Sequence, residues 1–556
     1  MKDELKSLSL AIVLSFMAIY SVNYFFGINK KSTVQQQVTQ IEKATVADVD
    51  ALKDFNNLKN TDDVLAEDAR VPLHNDSLYG SIRLKGSRFD NLSLSKYNVS
   101  VDKDSPKVEL LKPSQTQNQY FAEIGWLSLD KSLVLPSANS VWQNAGGELT
   151  PETPVTLSWK NDEGILITRK ISMDKNYLFT IVDTVENNTG EEIEIFPYAL
   201  LSRNIKDLDT TKRSVVHEGV SSIIDGTLKE FKFASLKKNE DKKLETTGGW
   251  LGFSDRYWFS AFILDNQSKA TATIKNKDDA NYQIDYLGAR TIIPNHKAAS
   301  YTYKLFSGAK EIKLLDRYKK EHNIPKFDLA VDFGWYYFLT KPFFYILDFL
   351  YSFLGNMGWA ILLFAALLRL FMFPVANKSY TSMAKMRALQ PKINEIREKY
   401  GDNQMLIQQA TMELYRREKI NPASGCLPLL IQIPIFFSLY KVLNFSIEIR
   451  HAPFIGWIKD LSAPDPLTIS QITHIGVPGF IDIGLWPVFM GFTMCMQQKL
   501  NPAPVNKEQA RMFALMPVFF TFMLGHFAAG LVIYWTLNNI LSIIQQKAIM
   551  RKNGVK

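Results

Sequence analysis

The sequence predicts an α-helical polytopic membrane protein with six spans, five of them forming a core, and one large all-β domain outside the cytoplasm. Three observations carry this reading. Residues 355–374, GNMGWAILLFAALLRLFMFP, are an almost unbroken apolar run of about twenty residues, enough to cross a hydrocarbon core of roughly 30 Å as a helix. From residue 71 to about 308 the hydrophobic period changes to two, the mark of half-buried strands. Basic residues gather beside the apolar runs, on alternate connections, as the positive-inside rule requires of cytoplasmic loops.

Composition removes several function classes. The net charge of +8 over 556 residues is modest, and its basic residues form no nucleic-acid-like stripe. Both cysteines, Cys426 and Cys495, lie in or beside expected spans, which excludes a disulfide framework in the β-region. The seven histidines are scattered, without an HExxH pair, and there is no GxxxxGK[ST] loop or GxSxG elbow. The chain therefore shows no metal site, no cofactor site and no sign of hydrolysing ATP or cutting peptides.

In chain order, residues 1–28 contain the apolar run LSLAIVLSFMAIYSVNYFF after Lys2 and Lys6. No small-residue cleavage site follows it, so a retained transmembrane anchor is expected, with a signal peptide as the alternative. Residues 29–69 are polar and read as a linker. Residues 70–325 carry short β-rich segments such as YLFTIVDTV and SYTYKLF, separated by turn signals such as Asp225-Gly226, and read as one large β-sandwich. Residues 332–353, dense in Trp, Tyr and Phe but interrupted by Lys341, Pro342 and Asp348, read as an amphipathic helix on the outer membrane surface; a full span is the alternative.

Spans are then expected at 355–375, 427–445, 481–498, 512–527 and 529–546. Residues 376–426 form a cytoplasmic helical hairpin broken at Gly401-Asp402, with Lys378, Lys385, Arg387, Lys392 and Arg397 among its bases. That charge either sets topology as a solvated face or docks a ribosome or nascent chain. Residues 446–480 make an outer loop, 499–511 a short basic cytoplasmic loop, and 547–556 a basic cytoplasmic tail. Both termini fall inside.

Arg369 is the one charge in the first core span. Burying it costs on the order of 2.5–3.5 kcal/mol, so it must be paired, hydrated, snorkelled or used. The span runs inward, which places Arg369 near the cytoplasmic side. Gln432, about five residues into the returning span, reaches a similar depth. From the last span Asn538 and Asn539 arrive mid-membrane, with Tyr534 and Trp535 further out, and Thr493 and Thr521 add hydroxyls. No carboxylate lies within the apolar stretches 355–374, 427–445, 484–498, 512–527 and 529–544 to pair with Arg369. Convergent polar groups of this kind point to a water-filled hollow, since facing lipid would be expensive.

The stretches LLRLFMFP, KSYTSMAKMRALQPKINEIREKYGD, NPASGCLPLLIQIPIFFSLY and IRHAPFIGWIKDLSAPDP closely resemble the YidC/Oxa/Alb family of membrane-protein insertases, over residues 330 to 548. An anchor followed by a large β-domain resembles the Gram-negative form. The resemblance implies a periplasmic galactose-mutarotase-like supersandwich and a conserved five-span core in an inner membrane. It also implies a hydrophilic groove, open to cytoplasm and lipid and closed to the periplasm, in which Arg369 and Gln432 match groove residues. The implied activity is insertion and chaperoning of nascent membrane proteins, alone or with the Sec translocase, beside the lipid bilayer and the ribosome. Relatives often carry a hydroxyl one turn before the arginine, where Ala365 stands here. A secondary transporter or channel for an anionic solute is the rival reading, and it requires an internal repeat that the five core spans do not display. A sugar-converting β-domain is a second rival.

Overall fold

The computed structural model describes residues 58–554 except 206–217, 237, 239, 278–279, 402, 422–426, 480 and 503–506. The expected anchor and most of the linker lie outside the described residues, as do the last two residues of the tail. A first helix, α1 (Thr61–Glu67), precedes seventeen strands that run from Arg70–His74 to Lys297–Ala309. The strands pair antiparallel into a β-sandwich. Trp258–Asn276 ties its parts together, pairing through its first half with Lys297–Ala309 and through its second with Asn281–Gly288.

Leu178–Asn187 shows how the alternation folds. Phe179, Ile181, Asp183 and Val185 are buried, while Thr180, Val182, Thr184 and Glu186 are half-exposed. Asp183 occupies a core position because Arg169 sits opposite it in the ladder. The guanidinium makes two 2.8 Å hydrogen bonds to the Asp183 carboxylate, and both residues are fully buried. Trp126 donates to the same carboxylate at 3.0 Å, and Arg169 stacks 4.6 Å from the Trp142 ring centre. A buried charge is tolerated only when paired and hydrogen-bonded in this way.

The helices follow: α2 (Ile312–Glu321), α3 (Tyr337–Leu354), α4 (Met357–Phe371), α5 (Phe373–Ala388), α6 (Gln390–Tyr400), α7 (Gln404–Arg417), α8 (Leu427–Phe445), the short α9 (Ile469–Thr473), α10 (Leu485–Gln498), α11 (Lys507–Leu524) and α12 (Ala529–Lys552). Among the described residues no single helix is long and apolar enough to cross a membrane; α4 and α5, bent by 67° at their junction, pass that test only as a pair. α8 has the bounds of the apolar run 427–445, α12 continues past the run 529–546 to Lys552, and the run 355–375 is interrupted between α4 and α5. Pro374 is the physical reason at the first break: it sits in the opening turn of α5, where its missing N–H cannot continue the α4 ladder. Prolines 434 and 517 likewise lie inside α8 and α11.

α3 ends at Gly355, whose φ of 67° lets the chain turn straight into α4. Its polar residues, which interrupted the apolar pattern, are fastened to neighbouring elements. Lys341 pairs with Asp316 at 2.6 Å and Asp328 at 2.7 Å, and Asp348 pairs with Lys313 at 2.6 Å. Its other face leaves Phe338, Phe349 and Phe353 exposed.

The loop after α8 covers one end of the bundle. Its Phe454 lies so close to Gly358 that a Cβ there would meet the ring at 1.9 Å, and Leu461 accepts from the Gly530 N–H at 3.0 Å. At the other end Tyr380, Met383 and Ile393 pack with Tyr415, Ile549 and Met550, fixing the helical hairpin to the end of α12. The β-sandwich meets the helices through Arg256, which donates to the Asn444 carbonyl at 2.6 Å, and Arg450, which donates to the carbonyls of Asn98 and Val99 at 2.8 and 2.9 Å.

Replacing Asp183 by alanine strands the Arg169 charge, so the full chain in detergent is expected to lose about 3–5 kcal/mol of β-domain stability. Thermal unfolding followed by near-ultraviolet circular dichroism measures this.

Candidate functional site

Arg369 stands in the last turn of α4, partly buried. Its Nη2 donates to the Tyr380 hydroxyl at 2.9 Å, and its guanidinium carbon lies 5.6 Å from the centre of the Tyr380 ring. Its buried Nε has no hydrogen-bond partner, and among the described residues Arg369 forms no ion pair. Tyr380 is buried on α5 and reaches Arg369 because the chain bends between the two helices. The arginine is thus held without being neutralised: a phenol hydroxyl and a ring face stabilise the cation but remove none of its charge.

Facing it, α8 and α12 contribute amides and aromatics. Gln432 donates to the Tyr534 hydroxyl at 3.0 Å, and Tyr534 is fully buried. Trp535 is half-buried and packs edge-on against Phe436, with ring centres 4.8 Å apart. Asn538 lies one turn beyond Tyr534, half-buried, and its carbonyl accepts from Ser542 at 2.6 Å.

Other polar residues prove to be structural. Asn539, buried, donates to Thr493 at 3.0 Å and so joins α12 to α10. Thr521 bonds to its own helix through the Pro517 carbonyl, and Gly491 packs so closely on it that a Cβ would meet the hydroxyl at 2.1 Å.

Sequence reasoning did not single out Tyr380, Gln545 or Gln546. Gln545 is buried and donates to the Phe373 carbonyl at 3.4 Å, beside the bend, while Gln546 donates to the Leu500 carbonyl at 3.2 Å. Their Oε1 atoms are buried without partners. Tyr380 lies eleven residues beyond Arg369, in a segment read as cytoplasmic, and only the turn at Pro374 brings it back. That proline was the available signal. Among the described residues no group of His, Cys, Asp and Glu could hold a metal ion.

These features define a class of protein: a helical core bearing a half-buried cation with no carboxylate partner, joined to a β-sandwich. The 60Kd inner membrane protein family matches residues 349–555, and the YidC periplasmic domain family matches residues 70–346. The membrane protein insertase YidC of Beijerinckia indica is 43% identical over 100% of this chain and 97% of its own length. That of Brucella suis is 45% identical over 89% of this chain and 82% of its own length. A crystal structure of an active YidC insertase aligns with 85% of this chain and 91% of that one, at 17% identity and a TM-score of 0.36. The chain belongs to the YidC family of membrane protein insertases.

The Gln432–Tyr534 bond gives a direct test of the site's geometry. Gln432→Leu and Tyr534→Phe in a double-mutant cycle should couple by about 0.5–1.5 kcal/mol, the range seen for hydrogen bonds between membrane helices; thermal denaturation of the full chain in detergent reads it.

Proposed function

We propose that this chain inserts nascent membrane proteins into the inner membrane, and that Arg369 receives the polar outer end of each substrate in a hydrated recess on the cytoplasmic side. One observation carries the proposal: a guanidinium in an apolar helix with no carboxylate partner among the described residues and an unsatisfied buried Nε. A cation left in that state attracts a transient counter-charge and water. The family's name and the chain's full-length kinship with its members support the same activity.

In this reading the β-sandwich is periplasmic, α4, α8, α10, α11 and α12 cross the membrane, α3 lies along its outer surface, and the α6–α7 hairpin and the tail are cytoplasmic. The packing of Phe454 and Leu461 over the α4 and α12 ends closes the recess on the outer side. An acidic residue at the leading end of a substrate meets Arg369; Gln432 and Asn538 offer amide hydrogen bonds, and Tyr534 and Trp535 form the apolar wall.

Water in the recess lowers the cost of carrying polar backbone part-way across. The apolar segment that follows slides past the exposed faces of α8 and α11, among them Phe437, Val518 and Phe519, into lipid. Its transfer from water releases about 25 cal/mol per Å² of apolar surface. The membrane potential adds about 2.3 kcal/mol per translocated charge per 100 mV. Insertion proceeds alone or with the Sec translocase as partner. The basic hairpin, with Arg416 and Arg417 exposed at the end of α7, and the basic tail offer the ribosome a docking face.

A charge pair about 4 Å apart at an effective dielectric constant of about 20 is worth up to about 4 kcal/mol. Arg369→Ala should therefore reduce insertion of a short acidic-ended substrate by about tenfold or more in reconstituted vesicles, leave a neutral-ended variant of that substrate nearly unaffected, and be largely rescued by Arg369→Lys. Equal loss for both substrates, or undiminished insertion by a stably folded variant, contradicts the proposal.

A further inference from the structure

The β-sandwich is joined to the helical core at a place where three half-buried carboxylates gather. Glu448 lies in the single helical turn Ile447–Ile449 that follows α8. Its Oε1 accepts from the Ile312 N–H, the first of α2, at 3.1 Å. Its Oε2 is sealed from solvent with no hydrogen-bond partner. From the β-sandwich side comes Glu311, the residue capping α2, whose Oε1 accepts from Tyr97 at 3.0 Å and Tyr177 at 2.7 Å. From α3 comes Asp348, paired with Lys313 at 2.6 Å.

The cations at the junction point elsewhere. Arg450 donates to the carbonyls of Asn98 and Val99, and Lys310 turns back into the β-sandwich to donate to Ser254 at 3.1 Å. Glu448 thus stands near two further carboxylates, Glu311 and Asp348, and among the described residues the N–H of Ile312 is its one intermodule bond. A carboxyl in such a place is costly when ionised.

We propose that Glu448 is a proton-operated latch between the β-sandwich and the helical core: protonated, it seats the start of α2 against the end of α8; ionised, it repels Glu311 and Asp348 and lets the β-sandwich loosen. The direction follows from linkage. Burial first, then Glu311 and Asp348, push the Glu448 carboxyl up to about 7 against the donor bonds that lower it. Once the modules part it returns to an ordinary glutamate value, so the seated state binds the extra proton. Seating is therefore strongest in mild acid and is lost as pH rises through about 7. Lys310, pushed down to about 8 by burial, acts with the opposite sign, because burial weakens its hold on the proton. The two are separable by mutation.

Hydrogen exchange of the peptide spanning 309–316, in the full-length protein in phospholipid nanodiscs and corrected for intrinsic rate, tests the latch. Protection should fall on the order of 10- to 30-fold between about pH 5.5 and 8. Glu448→Gln, which keeps the acceptor but carries no charge, should stay protected across the range. Asp348→Asn should move the wild-type midpoint to lower pH. A flat wild-type profile, a drop retained in Glu448→Gln, or an unmoved midpoint in Asp348→Asn each overturns the proposal.

Discussion

The helical core depends on one electrostatic constraint: a guanidinium placed in an apolar helix must be stabilised without being neutralised. A carboxylate would settle Arg369 more firmly, and would also occupy the charge that the proposed function reserves for a substrate. Tyr380 resolves this by offering a hydroxyl at 2.9 Å and a ring face. Such contacts contribute about 0.5–2 kcal/mol each. The 67° bend between α4 and α5 exists where Tyr380 has to be brought back under the arginine, and Gln545 fastens the bend from α12.

The rest of the structure protects that arrangement. The loop after α8 has two tasks: Phe454 and Leu461 seal one end of the bundle, and Glu448 and Arg450 hold the β-sandwich. A single contiguous apolar core runs from Ile181 in the sandwich through Phe343 on α3 to Tyr534 on α12. The β-sandwich itself rests on the Arg169–Asp183 pair, a charge buried completely because a carboxylate neutralises it. The two cations illustrate opposite uses of the same chemistry: paired and inert in the sandwich, unpaired and available in the helices.

The fold class was legible because it rests on periodicity and on the length of apolar runs, both of which are local properties. The period of two over residues 71–308 became strands, and the aromatic stretch around Lys341 and Asp348 became a helix whose charges find partners. Helix lengths were less legible. Composition registers an apolar run but not the helix break that Pro374 imposes, so α4 ends at Phe371 and the chain turns. For the site, Arg369 and Gln432 stood out because charge and amide are rare in apolar runs. Tyr380 did not, because tyrosine in a basic, soluble-looking segment carries no such contrast; its place under Arg369 is a consequence of the bend. The buried Gln545 and Gln546 were hidden in the same way, at the polar end of a helix that continues past the apolar stretch.

Position 432 offers the most direct test of the proposed recess. A photoreactive residue placed there, in ribosome-bound complexes carrying a stalled membrane-protein chain, should crosslink to the leading polar end of the substrate, and more strongly when that end is acidic and Arg369 is intact. Crosslinks to lipid alone, or to substrate with a yield indifferent to both charges, would contradict the account.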